Sequence, residues 1–163
     1  MKHRQTSTPR QWLITDQRLG PEMLRLIGRL PRGSGVLVRH HHLRPSDRRQ
    51  LLRRVRRVGR QRNLEVIDED GGRLARVHGA REIRQARLAG ARILLLSPLF
   101  ETRSHPHWRA LSRMRAAALV RLAKMPVIAL GGMDERRFRR VEKLGFAGWA
   151  GINAWLTFTK VPR

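Results

Sequence analysis

The stretch RILLLSPLFETRSHP, residues 92–106, decides the fold. Its run 93–96 is unbroken and apolar, too short for a buried helix, and is stopped by Ser97-Pro98. Such a run reads as a strand buried on both faces, as strands of parallel sheets are. The polar loop that follows carries Thr102, Ser104, His105 and His107. Hydroxyls and imidazoles beyond the end of a buried strand stand where α/β proteins place their chemistry. Two more units repeat the pattern. Residues 127–130 run into Gly131-Gly132, with a helix expected from Asp134, and residues 148–152 end at Asn153. Function is expected where these strand ends converge.

Toward the N-terminus the same alternation continues. Residues 11–15 (QWLIT) read as a strand, and Pro21 opens a helix with Met23, Leu24, Ile27 and Leu30 on its apolar side. Residues 36–38 form a second strand that delivers Arg39 and His40-His41-His42 to its end. Neighbours on a strand point to opposite faces, so this triplet does not read as one metal site. Ser46 or Asp47 is expected to cap the next helix, with Leu51, Leu52, Val55 and Val58 inward and a helix end between Gly59 and Asn63. Residues 64–67 form a third strand leading to Asp68, Glu69 and Asp70. Those acids fit a divalent cation or a turn before Gly71-Gly72, and both readings stand. Residues 74–77 make a poor strand ending at His78, and 82–89 make a helix with Leu88 partly buried. Residues 111–122 read as a helix with Met114, Ala118, Leu119 and Leu122 inward, and the helix after Asp134 carries Phe138, Val141 and Leu144. Alternating strands and helices with short loops specify a parallel sheet with helices outside, as a barrel or a doubly wound sheet. No G-x-G-x-x-G follows the first strand, which weakens a dinucleotide reading.

Composition narrows the function classes. The chain has 163 residues, enough for one domain with a real core, and no cysteine, so there are no disulfides or thiolate ligands. No apolar run approaches the roughly 18 residues that a membrane span needs, and no apolar segment follows the basic start, so a cytoplasmic protein without a signal peptide is expected. Residues 1–10 are expected to be a flexible tail before a single domain over 11–163. The net charge is +24, and all but four of the 36 basic residues are arginine. Non-specific binding to polyanions is expected. The arginines are spread over almost every helix rather than gathered in one stripe, and aromatic residues are only 5%, so stacking platforms for single strands are scarce.

The landmarks VHGAREI (77–83), LAGARILLLSPLFETRSHP (88–106), MPVIALGGM (125–133) and LGFAGWAGINAW (144–155) resemble the thiamine phosphate synthase and TenI-like superfamily. QWLITD (11–16) and VLVRHHH (36–42) extend the resemblance more weakly. It implies a TIM-type (β/α) barrel. About one βα unit is missing between Asp68 and His78, which leaves unpaired strand edges or a seven-stranded closure. A partner copy could cover such an edge, so a homodimer is expected.

The resemblance also implies a ligand and roles. Thr102, Ser104, Gly131, Gly132, Ile152 and Asn153 would hold the phosphate of a thiazole phosphate or thiamine phosphate. Arg39 and His105 would stabilise anionic groups. Asp68 would be a magnesium ligand, although Ile67 replaces the usual asparagine partner and the second aspartate falls in the missing unit. His78 matches the acid/base histidine of the TenI-like branch, whose proton shuttling needs no metal. The implied activity is thiamine phosphate synthesis, joining a thiazole phosphate to a hydroxymethylpyrimidine diphosphate. The alternatives are thiazole tautomerisation through His78, a non-catalytic thiamine-phosphate binder, or an Arg-rich RNA-binding module.

Overall fold

Seven short parallel strands, each followed by a turn or helix that returns the chain to the same end, arrange the molecule. The computed structural model describes residues 8–101 and 107–156. The strands are β1 (Gln11–Ile14), β2 (Gly35–Val38), β3 (Glu65–Asp68), β4 (Leu74–Val77), β5 (Ile93–Leu96), β6 (Val127–Ala129) and β7 (Gly148–Gly151). The helices are α1 (Met23–Arg29), α2 (Pro45–Arg62), α3 (Ala80–Leu88), α4 (Arg113–Ala123), α5 (Glu135–Val141) and α6 (Asn153–Leu156). Hydrogen-bonded neighbours run β3-β2-β1-β7-β6-β5-β4. Every ladder is parallel. First and last strands in sequence are therefore neighbours in space, as in a barrel, and the order breaks only between β3 and β4.

The period of two along each strand sorts the side chains into two cores. Trp12, Ile14, Leu37, Ile67, Leu74, Ile93, Leu95, Ile128 and Ala150 pack together inside the curl. Leu13, Val36, Val38, Leu94, Leu96, Val127 and Trp149 face outward against the helices. Ile67 on one edge strand and Leu74 on the other share the inner cluster, so the sheet curls until both edges meet the same interior. Gly35 is needed there because a Cβ would enter the Trp12 indole.

The break has a local cause. Only residues 69–73 link β3 to β4, and they form a one-turn 3-10 helix, Glu69–Gly71. A parallel crossover ordinarily takes a dozen or more residues and a helix. Here the strands are only four residues long, so the short turn and the two residues after it suffice to return to the starting end. In place of backbone bonds, Arg73 pairs with Glu65 at 3.0 Å and Arg76 with Glu69 at 2.8 Å, one pair near each end of the gap. The missing βα unit is thus real, and the outcome is unpaired edges rather than seven-stranded closure.

Several local expectations shift. Helix α2 starts at Pro45 with no side-chain cap, and Gly59 is buried inside it; the stop is Asn63, in the left-handed region at φ 54°. Leu88 and Met114 are exposed, at 89% and 85%. The inward face of α4 is Ala116, Leu119 and Ala123, a phase set by Ser112, which accepts from the Arg115 N–H as N-cap. Of the tail expected over residues 1–10, Pro9 and Arg10 are docked: the Pro9 carbonyl accepts from the Trp12 indole, and Arg10 pairs with Glu135 and Glu142. Among the described residues no helix is long and apolar enough to cross a membrane.

Candidate functional site at the strand C-terminal rim

Because all seven strands are parallel, their C-terminal ends form one rim. Around it stand Asp68 after β3, Arg39 after β2, Thr15 and Asp16 after β1, Ile152 and Asn153 after β7, Gly131 and Gly132 after β6, Ser97 after β5 and His78 after β4. All seven of the expected residues whose structure is described, Arg39, Asp68, His78, Gly131, Gly132, Ile152 and Asn153, thus share one end. Thr102, Ser104 and His105 lie outside the described residues.

His78 is the best-defined group. Glu82, in the first turn of α3, reaches back and accepts from the His78 backbone N–H at 2.7 Å, like half of a capping box. The same carboxylate oxygen lies 2.8 Å from His78 Nδ1. A carboxylate at Nδ1 makes that nitrogen the donor and leaves Nε2 as the exchangeable position. The Trp108 ring meets the imidazole edge-on at 5.3 Å. The His78 ring is 40% exposed, so it is oriented but reachable.

On the β6 side, glycine is enforced by its surroundings. Gly131 has φ 98°, and a Cβ there would stand 2.9 Å from Pro98 Cα. Gly132 has φ 61°, and a Cβ there would meet Arg137 Nη1 and the Glu101 carbonyl, each at 2.9 Å. The Phe100 N–H donates to the Gly131 carbonyl at 3.2 Å, and the Leu99 N–H to Leu130 at 2.9 Å. Arg137 donates to the Gly132 carbonyl and lies 5.3 Å over the Phe100 ring. The loop entering residues 102–106 is therefore clamped against the glycine pair. At β7, Trp149 and Trp155 stack at 5.3 Å, and the Trp155 indole donates to the Trp12 carbonyl at 3.1 Å. That contact fixes the turn through Ile152 and Asn153.

The β2–β3 arc is arranged by charge. The Arg39 N–H donates to Thr15 Oγ1 at 2.9 Å, and the same oxygen lies 3.0 Å from His40 Nδ1. His40 is buried, and burial pulls its pKa below the ordinary value, with the nearby His42 adding to the effect. His41 and His42 are exposed, so the triplet is divided between inside and outside. Glu69 receives Arg76, His41 at 2.7 Å and Arg39 at 3.8 Å. Arg76 shares the inward register of Leu74 and Leu95. Burial lowers its guanidinium from the ordinary value, Glu69 opposes that, and one Nη is buried without a hydrogen-bond partner.

The acids do not fit magnesium. Arg48 grips both oxygens of Asp68 and pairs with Asp70 at 3.0 Å, beside a hollow of about 290 Å³. Asp68 also accepts from the Asp70 N–H as cap of the 3-10 turn. Two carboxylates whose oxygens are already engaged by a guanidinium are a poor hard-cation site. Among the described residues no group of three His, Asp or Glu side chains could hold a metal ion.

Sequence reading missed three of these residues. Glu82 is signalled by its position four residues after His78 across a strand-to-helix turn. Arg76 is signalled by the period of two between Leu74 and His78. Arg48 is signalled by the spacing 48, 52, 55, 59, which puts it on the buried stripe of α2 despite its place in a run of arginines.

Residues 75–155 match a family model described as thiamine monophosphate synthase. A protein of Aquifex aeolicus (strain VF5) described as "Putative thiamine-phosphate synthase 2" is 32% identical over 79 residues, 48% of this chain and 42% of that protein. The chain thus matches less than half the length of that relative. A solved structure, thiamine phosphate pyrophosphorylase from Pyrococcus furiosus, superposes with a TM-score of 0.77 over 91% of this chain and 88% of that one, at 21% identity. That likeness concerns the fold.

Proposed function

Because the chain belongs to the thiamine phosphate synthase and TenI-like superfamily, we propose that it binds a thiazole phosphate at the strand C-terminal rim and shifts a proton on it through His78. The observation that carries this reading is the Glu82–His78 pair, which fixes the ring and leaves Nε2 as the working nitrogen. The reaction class is a tautomerisation. One C–H proton passes to Nε2 and a proton returns at another position of the ligand, so nothing is added or lost overall. An imidazole suits that transfer near neutral pH, and no leaving group needs a cation. The phosphate would rest on the amides around Gly131, Gly132, Ile152 and Asn153, with Thr102 and Ser104 as hydroxyl donors and His105 beside them. Arg39 would stabilise an anionic group of the ligand.

A second reading, the coupling of thiazole phosphate to a pyrimidine diphosphate, is favoured by the names of the relatives. It asks for a cation to take up the leaving diphosphate. With Asp68 and Asp70 held by Arg48, Arg39 and Arg76 are the cations at hand.

Complementation separates the two. The chain is expressed in thiamine auxotrophs lacking either the tautomerase or the synthase. Rescue of the first strain alone is expected, lost in His78→Gln and kept in Asp68→Asn. Purified His78→Gln should lose about 10²–10⁴-fold in turnover while still binding thiazole phosphate in calorimetry. Rescue of the synthase strain, dependent on Asp68, would overturn the proposal in favour of the second reading.

A further inference from the structure

Helix α2 carries eight arginines, more than any other helix among the described residues, and the structure sorts several of them into a stripe. Leu52, Val55 and Gly59 are buried, while Arg49, Arg53, Arg56, Arg57 and Arg60 are exposed. At 3.6 residues per turn, the spacing 49, 53, 56, 60 forms one row about 16 Å long, with Arg57 beside it. Among the described residues none of these five has a carboxylate within ion-pair distance; Arg48, on the buried side, takes both neighbouring acids.

The missing βα unit leaves this stripe open. On one side of α2 lies α1, whose Gly28 faces Val58. Arg49, Arg56 and Arg60 lie about 180–200° around the helix from Val58, on the opposite flank. In an unbroken βα array the helix between β3 and β4 would pack beside that flank. Here residues 69–73 make only a 3-10 turn, so among the described residues no helix stands between β3 and β4 to cover it.

We infer that the outer face of α2 is a docking surface for double-helical DNA, held through its phosphates. A guanidinium is the side chain best matched to phosphate oxygens. Over about 16 Å of axis a B-form duplex presents about ten charges. A helix about 10–12 Å across matches its major groove of about 12 Å, whereas the deep, narrow groove of A-form RNA does not admit one. Beyond the first turn, where Pro45, Ser46 and Asp47 are exposed, the remaining outward positions of α2 are Gln50, Arg54 and Gln61. The face therefore has no aromatic ring for stacking single strands and no apolar side chain for entering a membrane. Contact is with the backbone and sequence-independent. This site is on the helix layer and does not depend on the reading of the rim.

The test is fluorescence anisotropy with a mixed-sequence 20-base-pair DNA duplex across 50–200 mM salt, using the full chain. The control variant R81Q/R84Q/R87Q/R121Q removes equal charge from exposed arginines on α3 and α4. In R49Q/R53Q/R56Q/R60Q the slope of log K against log salt should fall by about 3.6, and binding at 100 mM by at least about 10²-fold, with the control much closer to the parent. Circular dichroism verifies that each variant is folded. Should the quadruple variant fail to fold, R56Q/R60Q is read instead, with an expected slope loss of about 1.8. Equal losses in test and control variants would overturn the inference. So would tighter binding to duplex RNA, to single strands or to phosphatidylserine vesicles than to duplex DNA.

Discussion

The arc from β4 to β7 and the arc from β1 to β3 share one inner layer but secure their rims differently. From β4 to β7 the rim is held by shape: glycines with no room for a Cβ, a loop clamped on them, and stacked indoles. From β1 to β3 it is held by charge, with Arg48 on two aspartates and Glu69 among Arg39, Arg76 and the His41 imidazole. The first arc coincides with the residues that match the family, 75–155. The difference teaches that a rim built from backbone contacts ties the sequence closely. A rim built from ion pairs leaves the neighbouring helix free to take on other surface chemistry.

The comparison can be broken most sharply in the core. Leu95→Ala, in a central strand paired on both sides, should cost about 3–5 kcal/mol in urea unfolding. Ile67→Ala, on the unpaired edge, should cost about 2 kcal/mol because the edge can close on the space. Equal costs would mean that the seam is as rigid as the centre. Next come the turns. Gly131→Ala should cost about 2–3 kcal/mol, since strain at positive φ adds to the collision with Pro98. Gly72→Ala, at φ 67° with nothing within 4 Å, should cost only about 1 kcal/mol.

Charge gives smaller effects. Arg48→Met leaves Asp68 and Asp70 without their cation and should cost about 1–3 kcal/mol. Arg10→Met, at an exposed pair, should cost at most about 1 kcal/mol and less in high salt. The smallest effect is a pH dependence from His40. Its folded pKa lies below the ordinary 6.5, so the unfolded chain binds the proton more readily. Stability should therefore be full above about pH 6.5 and decline as pH falls toward the folded pKa. Urea midpoints from pH 8 to 5 should show that decline, and His40→Asn should flatten it.

What the sequence revealed follows from what repeats. Apolar strands with a period of two, and Gly131-Gly132 or Asp134 at fixed offsets, announced the order of elements and the rim that bears His78. Helix phase was less legible where alanines stand on every side, as in α4, so Met114 was placed inward although Ser112 sets another register. Ion-pair choice was least legible. Nothing local says which of many arginines meets Asp68, because the answer depends on the buried stripe of α2 and on the return of the chain at Gly71-Gly72.

One consequence lies in the seam between β3 and β4. Hydrogen bonds fasten the circumference everywhere else, whereas here Glu65–Arg73 and Glu69–Arg76 do so across open backbone. Dissolved ions compete with such a fastening far more than with a ladder of amides. Ionic strength is thus expected to act on the gap between the two lips, which the shared contact of Ile67 and Leu74 otherwise holds, and the same salt that would loosen α2 from a polyanion should slacken the ring beside it.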